Sequence, residues 1–174
     1  MPQIKIKFSF LLFNALIFIF RESSLILGFY GACIIHEAGH IAAVYLTGGN
    51  VKSVEFSWMG IKMTAAAADT VKSAVFVQLS GPAANLLAFL MIIAGGKNGY
   101  LAVFCLMEGI LNLLPYRFLD GGTVLEILAD ASGGRKKFRT LNTLIRVVFS
   151  TIIAVLFIFY PDILNGIILT LLIN

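Results

Sequence analysis

His36-Glu37-Ala38-Gly39-His40 reads H-E-x-x-H and lies inside an apolar run from about Leu25 to Leu46. On a helix, residues four apart share a face, so His36 and His40 can each aim an imidazole nitrogen at one metal ion. Glu37 is rotated about 100° from His36, beside the ion but free to act as a base. Two histidines and a carboxylate at this spacing are the arrangement of a zinc hydrolase, which needs one further protein ligand and one position left open for water. In a soluble chain three fixed positions match often by chance. In an apolar run, by contrast, His and Glu are costly and seldom occur without a partner or a task.

Composition places that run in a membrane. Of 174 residues, 59% are hydrophobic and 13% are charged, and the mean hydropathy is +0.95. A soluble domain is nearer half apolar and a quarter charged. The chain is therefore expected to be an all-α integral membrane protein forming one domain over 1–174, with a core at 25–131 and flanking spans at 4–20 and 141–173. Its net charge of +4 does not indicate nucleic-acid binding, because the Lys and Arg lie mainly between apolar runs, where membrane topology puts them. Cys33 and Cys105 form no C-x-x-C motif and no disulfide framework. Cys33, one turn before His36, is an alternative ligand in principle, but a small buried side chain is the simpler reading.

Around the central run, the pattern predicts about six transmembrane helices. The first begins near Ile4 and runs to Phe20, with Lys5 and Lys7 snorkelling; its basic start resembles a signal peptide, but no A-x-A-like cleavage site follows. Ser24 is a plausible N-cap for the second span, and Thr47-Gly48-Gly49-Asn50 ends it, with glycine at the C-cap. Val51 to Ala67 is β-prone and predicts a short membrane-associated hairpin, Val54–Trp58 against Ile61–Thr64. A third span covers Val71 to Ala94. A fourth starts near Tyr100 and breaks at Pro115, and a short helix follows at Thr123–Ala131. The fifth span covers Leu141 to Tyr160. The last apolar run, Ile163 to Ile173, is short for a full crossing.

With the N-terminus in the cytoplasm and the spans alternating, Arg21 and Lys97 fall outside and the other eleven Lys and Arg fall inside or at the inner border, a positive-inside pattern. The hairpin is then cytoplasmic. His40 lies about seven residues, or roughly 10 Å, below that surface.

The third ligand is sought among acidic residues at membrane depth: Glu108, Asp120 and Glu126. Asp120 follows the helix-breaking Pro115 and precedes Gly121-Gly122, and irregular backbone at this depth occurs where protein or a wet cavity surrounds it. Its competing role is a helix N-cap. For Glu108 and Glu126, polar packing between helices or an interfacial position is the simpler reading. In Ser80-Gly81-Pro82-Ala83-Ala84-Asn85, Gly81 and Pro82 loosen the helix and Asn85 is a lone amide. It can donate to an oxyanion or make an interhelical hydrogen bond.

Three motifs together carry a resemblance. His36-Glu37-Ala38-Gly39-His40, then Gly81-Pro82-Ala83-Ala84-Asn85, then Asn112-Leu113-Leu114-Pro115 with Leu119-Asp120-Gly121-Gly122 resemble, in order and on separate spans, the site-2 protease family of intramembrane zinc metalloproteases. The resemblance covers roughly Ile34 to Gly122. It implies that His36, His40 and Asp120 bind one zinc ion, that Glu37 is the catalytic base, and that Asn85 contacts substrate or oxyanion. It also implies six spans and a β-hairpin after the H-E-x-x-H helix. Many relatives add a PDZ or CBS domain; no stretch here is long enough for one, so the chain resembles a minimal catalytic core.

The expected function is hydrolysis of peptide bonds in or near transmembrane segments of membrane proteins, in the lipid bilayer, with the active-site side cytoplasmic. Two other classes use the same residues. A catalytically silent zinc-binding relative that binds client helices would have lost Glu37 or a ligand, and neither is lost. A metal transporter would spread ligands along a path, whereas these converge at one depth.

Overall fold

The computed structural model describes residues 3–12, 15, 23–57, 60–66, 70–97, 99–133, 140, 142–148 and 150–151. The chain divides into two compact units, Met1–Ala131 and Ser132–Asn174. In the second, residues 142–148 are helical.

The first unit is mostly helical with one small sheet. Helix α1 (Ser23–Leu46) and helix α2 (Val71–Ala94) are long and apolar enough to cross a membrane. Both are apolar all round rather than along one stripe, as helices in lipid are. Each has 24 residues, about 36 Å of helix. The C-terminus of α1 is set by Gly48, which takes φ +75°, a conformation that costs glycine no Cβ clash. Its N–H bonds the Tyr45 carbonyl at 3.0 Å, and the Gly49 N–H bonds the Val44 carbonyl at 2.8 Å, a Schellman ending. At the start of α2 the Thr70 hydroxyl accepts from the Ser73 N–H at 3.1 Å, an N-cap.

Between these helices lie β2 (Asn50–Ser57) and β3 (Gly60–Ala66), an antiparallel pair running from Asn50 opposite Ala66 to Ser57 opposite Gly60, with a bulge between Val51 and Ser53. The hairpin predicted from sequence is thus present, with longer strands. Ala43 and Val44 of α1, Val51 of β2 and Val77 of α2 form a buried cluster, with Val54, Met63 and Ala65 packed on it. This cluster seats the sheet against the ends of the two long helices.

The expected first span is corrected at its beginning. Gln3–Ile6 is not helical but a strand, β1, lying parallel to β2 from Gln3 opposite Ser53 to Ile6 opposite Phe56. Ile4-Lys5-Ile6-Lys7 alternates apolar and polar, the strand period, and an ion pair of 2.6 Å between Lys7 and Glu55 closes the pairing. Helix starts only at residue 8, where Phe10 packs on Phe56 with ring centroids 5.5 Å apart. The rest of that run, residues 13, 14 and 16–22, lies outside the described residues, as do 152–174 with most of the fifth and all of the sixth expected span.

Helix α3 (Tyr100–Asn112) is apolar but has only 13 residues, about 20 Å. It ends at Asn112, earlier than the expected break at Pro115. Residues 113–119 form a non-helical connection, and α4 (Asp120–Ala131) begins at Asp120, three residues before the helix expected from sequence. Helices α1, α2 and α3 pack on one another, and α4 packs on α2. Among the described residues, then, two helices have membrane-crossing length, and a three-stranded sheet joins them at one end.

Candidate metal centre

Neither histidine can reach the third acidic partner through sequence proximity; the fold brings it to them. The His36 Nε2 lies 3.0 Å from Asp120 Oδ2, the His40 Nε2 lies 3.3 Å from the same oxygen, and the two Nε2 atoms are 3.1 Å apart. The histidines come from one turn of α1. Asp120 comes from the first residue of α4, carried there by the connection from α3. Among the described residues this group is the one set of His, Cys, Asp or Glu that could hold a metal ion.

Hydrogen bonding shows why a cation fits. The His40 Nδ1 is 2.7 Å from the Val77 carbonyl oxygen. A carbonyl only accepts, so Nδ1 carries the proton and, in the neutral ring, Nε2 carries a lone pair. Facing that lone pair is the buried Asp120 Oδ2, an oxygen that His36 Nε2 also approaches, at 3.0 Å. Two acceptors 3.3 Å apart repel unless positive charge lies between them. The separations of 3.0, 3.1 and 3.3 Å also match the edges of a small coordination tetrahedron. Ligands at about 2.0 Å from a tetrahedral ion stand about 3.3 Å from one another.

Space for the imidazoles comes from the neighbouring helix. A Cβ added to Gly81 would run into His40 Nε2 and would sit 2.9 Å from His36 Nε2. Gly81 is therefore required by close approach, and the helix expected to loosen at Gly81-Pro82 runs on as one element through Pro82. The glycines after Asp120 work in the same way. Gly121 and Gly122 are helical and have no positive φ. A Cβ on Gly121 would meet the Leu113 carbonyl oxygen, and one on Gly122 the Tyr116 carbonyl oxygen. They let the 113–119 connection lie directly against α4, which fixes where Asp120 stands.

Glu37 lies half-buried on α1, within electrostatic reach of His36, His40, Asp120 and Glu108. Among the described residues, no hydrogen bond to another side chain holds it. Asn85 is fully buried. Its Nδ2 lies 3.3 Å from His36 Nδ1 and donates to Glu108 Oε2 at 3.1 Å. The amide therefore stands behind the His36 ring rather than in open space. Of the other acidic candidates, Glu108 is not among the converging ligand atoms, and Glu126 is paired with Arg117 at 2.5 Å on an exposed face. Cys33 directs its thiol away from the centre, donating from Sγ to Glu108 Oε1 at 3.0 Å. The cluster formed by Cys33, Asn85 and Glu108 was not readable in advance, because its members lie 23 to 75 residues apart. The available signal was a carboxylate in an apolar helix, which implies a partner.

No family model matches the chain, and no curated protein matches it by sequence. Among solved structures it is similar to a site-2 protease from Methanocaldococcus jannaschii. The two share 18% sequence identity and superpose with a TM-score of 0.62 over 97% of this chain and 86% of that one. At this identity the likeness is one of fold.

Proposed function

We propose that this chain belongs to the site-2 protease family and is an intramembrane zinc metalloprotease that cuts peptide bonds in or near transmembrane segments. One observation carries the reading: His36, His40 and Asp120 converge to within 3.3 Å of one another around a site with more lone pairs than protons, next to Glu37. The shared fold supports it. His36, His40 and Asp120 would hold the ion. When bound, zinc polarises the scissile carbonyl and brings the acidity of water near neutral pH.

The chain's own groups do the rest. Glu37 takes the proton of the attacking water and returns it to the leaving amine. Asp120 would offset part of the charge of a bound ion, facing the histidine pair at 3.0 and 3.3 Å. Residues 113–119 and the Gly81 surface close the centre from the sides. A helical substrate hides its carbonyls in its own hydrogen bonds and must be opened before attack. An opened segment needs a strand edge to pair with. β2 is flanked by both β1 and β3, so β3 offers the edge of the hairpin that is left. The site lies about six to ten residues, or roughly 9–15 Å along the helix, from the sheet end of α1.

In this reading the first unit is membrane-embedded and multi-pass, with the sheet and the N-terminus on the cytoplasmic side. Lys5 and Lys7 follow one another along or beside β1, and Lys52 lies on β2, which agrees with positive-inside placement. The test is metal dependence with a substrate. Purified protein should cleave a single-span model substrate, lose cleavage when stripped with a chelator and regain it with zinc. Asp120→Ala should fall to background zinc content. Cleavage that survives complete removal of metal sinks the proposal.

A further inference from the structure

Helices α1 to α4 carry amide side chains at Gln78, Asn85 and Asn112. Two of these are committed inside the fold. Asn85 donates from Nδ2 to Glu108 Oε2 at 3.1 Å, and Asn112 donates from Nδ2 to the Glu108 carbonyl at 3.0 Å. Gln78 is half-buried and, among the described residues, its amide has no hydrogen bond. Its backbone is short of a partner as well. Pro82 stands four residues further along α2 and has no N–H, so the Gln78 carbonyl loses its helix donor. A polar group in an apolar span is costly and implies a partner or a task.

Position indicates the task. Gln78 follows Val77, whose carbonyl meets His40 Nδ1 at 2.7 Å. Three residues later comes Gly81, against which both imidazoles pack. Three residues on a helix are about 60° of rotation, so Gln78 flanks the face that meets the rings. Phe76 and Leu79 lie about 140° and 160° from Gly81 and are 50% and 38% exposed, on the side that lipid would cover. Gln78 is also level with the centre. It stands seven residues, roughly 10 Å, inside the end of α2 that follows β3, and His40 stands six residues, about 9 Å, inside the sheet end of α1.

We propose that Gln78 is a substrate-binding residue: its side-chain amide pairs with one peptide unit of an opened substrate segment beside the metal centre. The inference rests on the protease reading above. An opened segment has lost its own helix bonds, and at this depth water does not replace them. A peptide unit offers one N–H and one C=O. A carboxamide offers the complement, an acceptor oxygen and a donor NH2, so Gln78 can take both bonds at once. The pairing reads backbone and not side chain, so the partner is any unwound peptide rather than a particular residue. A structural role for the same amide, between helices, would need an internal partner, and the described residues supply none.

Two measurements on the full-length protein test this. In the first, Gln78→Met keeps the bulk of the side chain and removes its hydrogen bonds. The kcat/KM for a single-span model substrate should fall by about 5–100-fold, the loss expected when a peptide unit is left unpaired, while zinc content stays at the wild-type level. Esters placed one at a time along the substrate backbone each remove one N–H. The ester that slows the wild type should not slow Gln78→Met further. In the second, Gln78→Cys, Phe76→Cys and Leu79→Cys are made singly in Glu37→Gln protein lacking Cys33 and Cys105. Each is cross-linked to a substrate carrying one cysteine near the cleavage site. Position 78 should link, and positions 76 and 79 should not. Unchanged kcat/KM in Gln78→Met, zinc lost together with cleavage, or links from 76 and 79 as strong as from 78 would each overturn the inference. A wild type that cleaves nothing would instead count against the protease reading, while the pattern of cross-links still decides this one.

Discussion

A single added methyl group is enough to challenge the centre. Gly81 packs so closely that its Cβ would occupy space held by His40 Nε2. Gly81→Ala must push a ring aside or separate α1 from α2. Overpacking of this kind costs about 1–3 kcal/mol, and zinc content should drop with it. Ala84→Gly on the same helix removes a methyl group instead and should keep the metal, so a loss specific to Gly81→Ala assigns the effect to the rings. The candidate ligand pair was legible in the sequence because its spacing is local: His36 and His40 lie one turn apart on any helix. Asp120 was legible through Pro115 and the two glycines, which mark a built break at membrane depth. The role of those glycines was not, because close approach to the Leu113 and Tyr116 carbonyls depends on a connection whose path no local pattern encodes.

At the level of elements, the two long helices were readable almost to the residue, Val71–Ala94 in full and α1 from Ser23 rather than Leu25. Continuous hydrophobicity, a capping threonine and Schellman glycines all agree there. β1 was missed because four alternating residues lead straight into a long apolar run, and its parallel partner lies about fifty residues away. Such non-local pairing leaves no local trace. β1 has a consequence for substrate. It occupies one side of β2, so the outer edge of β3 is where an opened segment would pair. Proline placed at alternate positions of β3, where the N–H faces away from β2, keeps the hairpin and removes one donor each. Each lost hydrogen bond is worth about 0.5–1.5 kcal/mol, so cleavage efficiency should fall by roughly 2–10-fold per position. Cleavage that stays at wild-type level across all such variants would remove β3 from substrate binding. The 113–119 connection gives a second test. Gly122→Ala would drive a methyl group into the Tyr116 carbonyl, displace Asp120 and lower zinc content, and thermal unfolding in detergent should report the strain.

Within the first unit, the described residues place a polar centre among three apolar helices, with a sheet at one end. The exposed large apolar residues on α1 and α2, among them Leu27, Ile34, Leu87, Leu90 and Met91, form the outward face that lipid would cover. Lys52 and Lys97 lie beyond opposite ends of α2. Single cysteines introduced there in a background lacking Cys33 and Cys105 should label from opposite sides of sealed membranes, with position 52 cytoplasmic. Labelling of both from one side would mean that α2 does not cross. In the proposed mechanism, hydrolysis depends on one base beside one ion. The deciding measurement is therefore cleavage of a model transmembrane substrate by full-length wild type and Glu37→Gln, with zinc counted on both. We expect about one zinc on each protein, as one three-ligand centre holds, and a fall in cleavage of at least ~10²-fold in the variant, the lower range for loss of a general base. Equal cleavage by the two proteins, or a wild type that holds no zinc, would contradict a metalloprotease centred on Glu37.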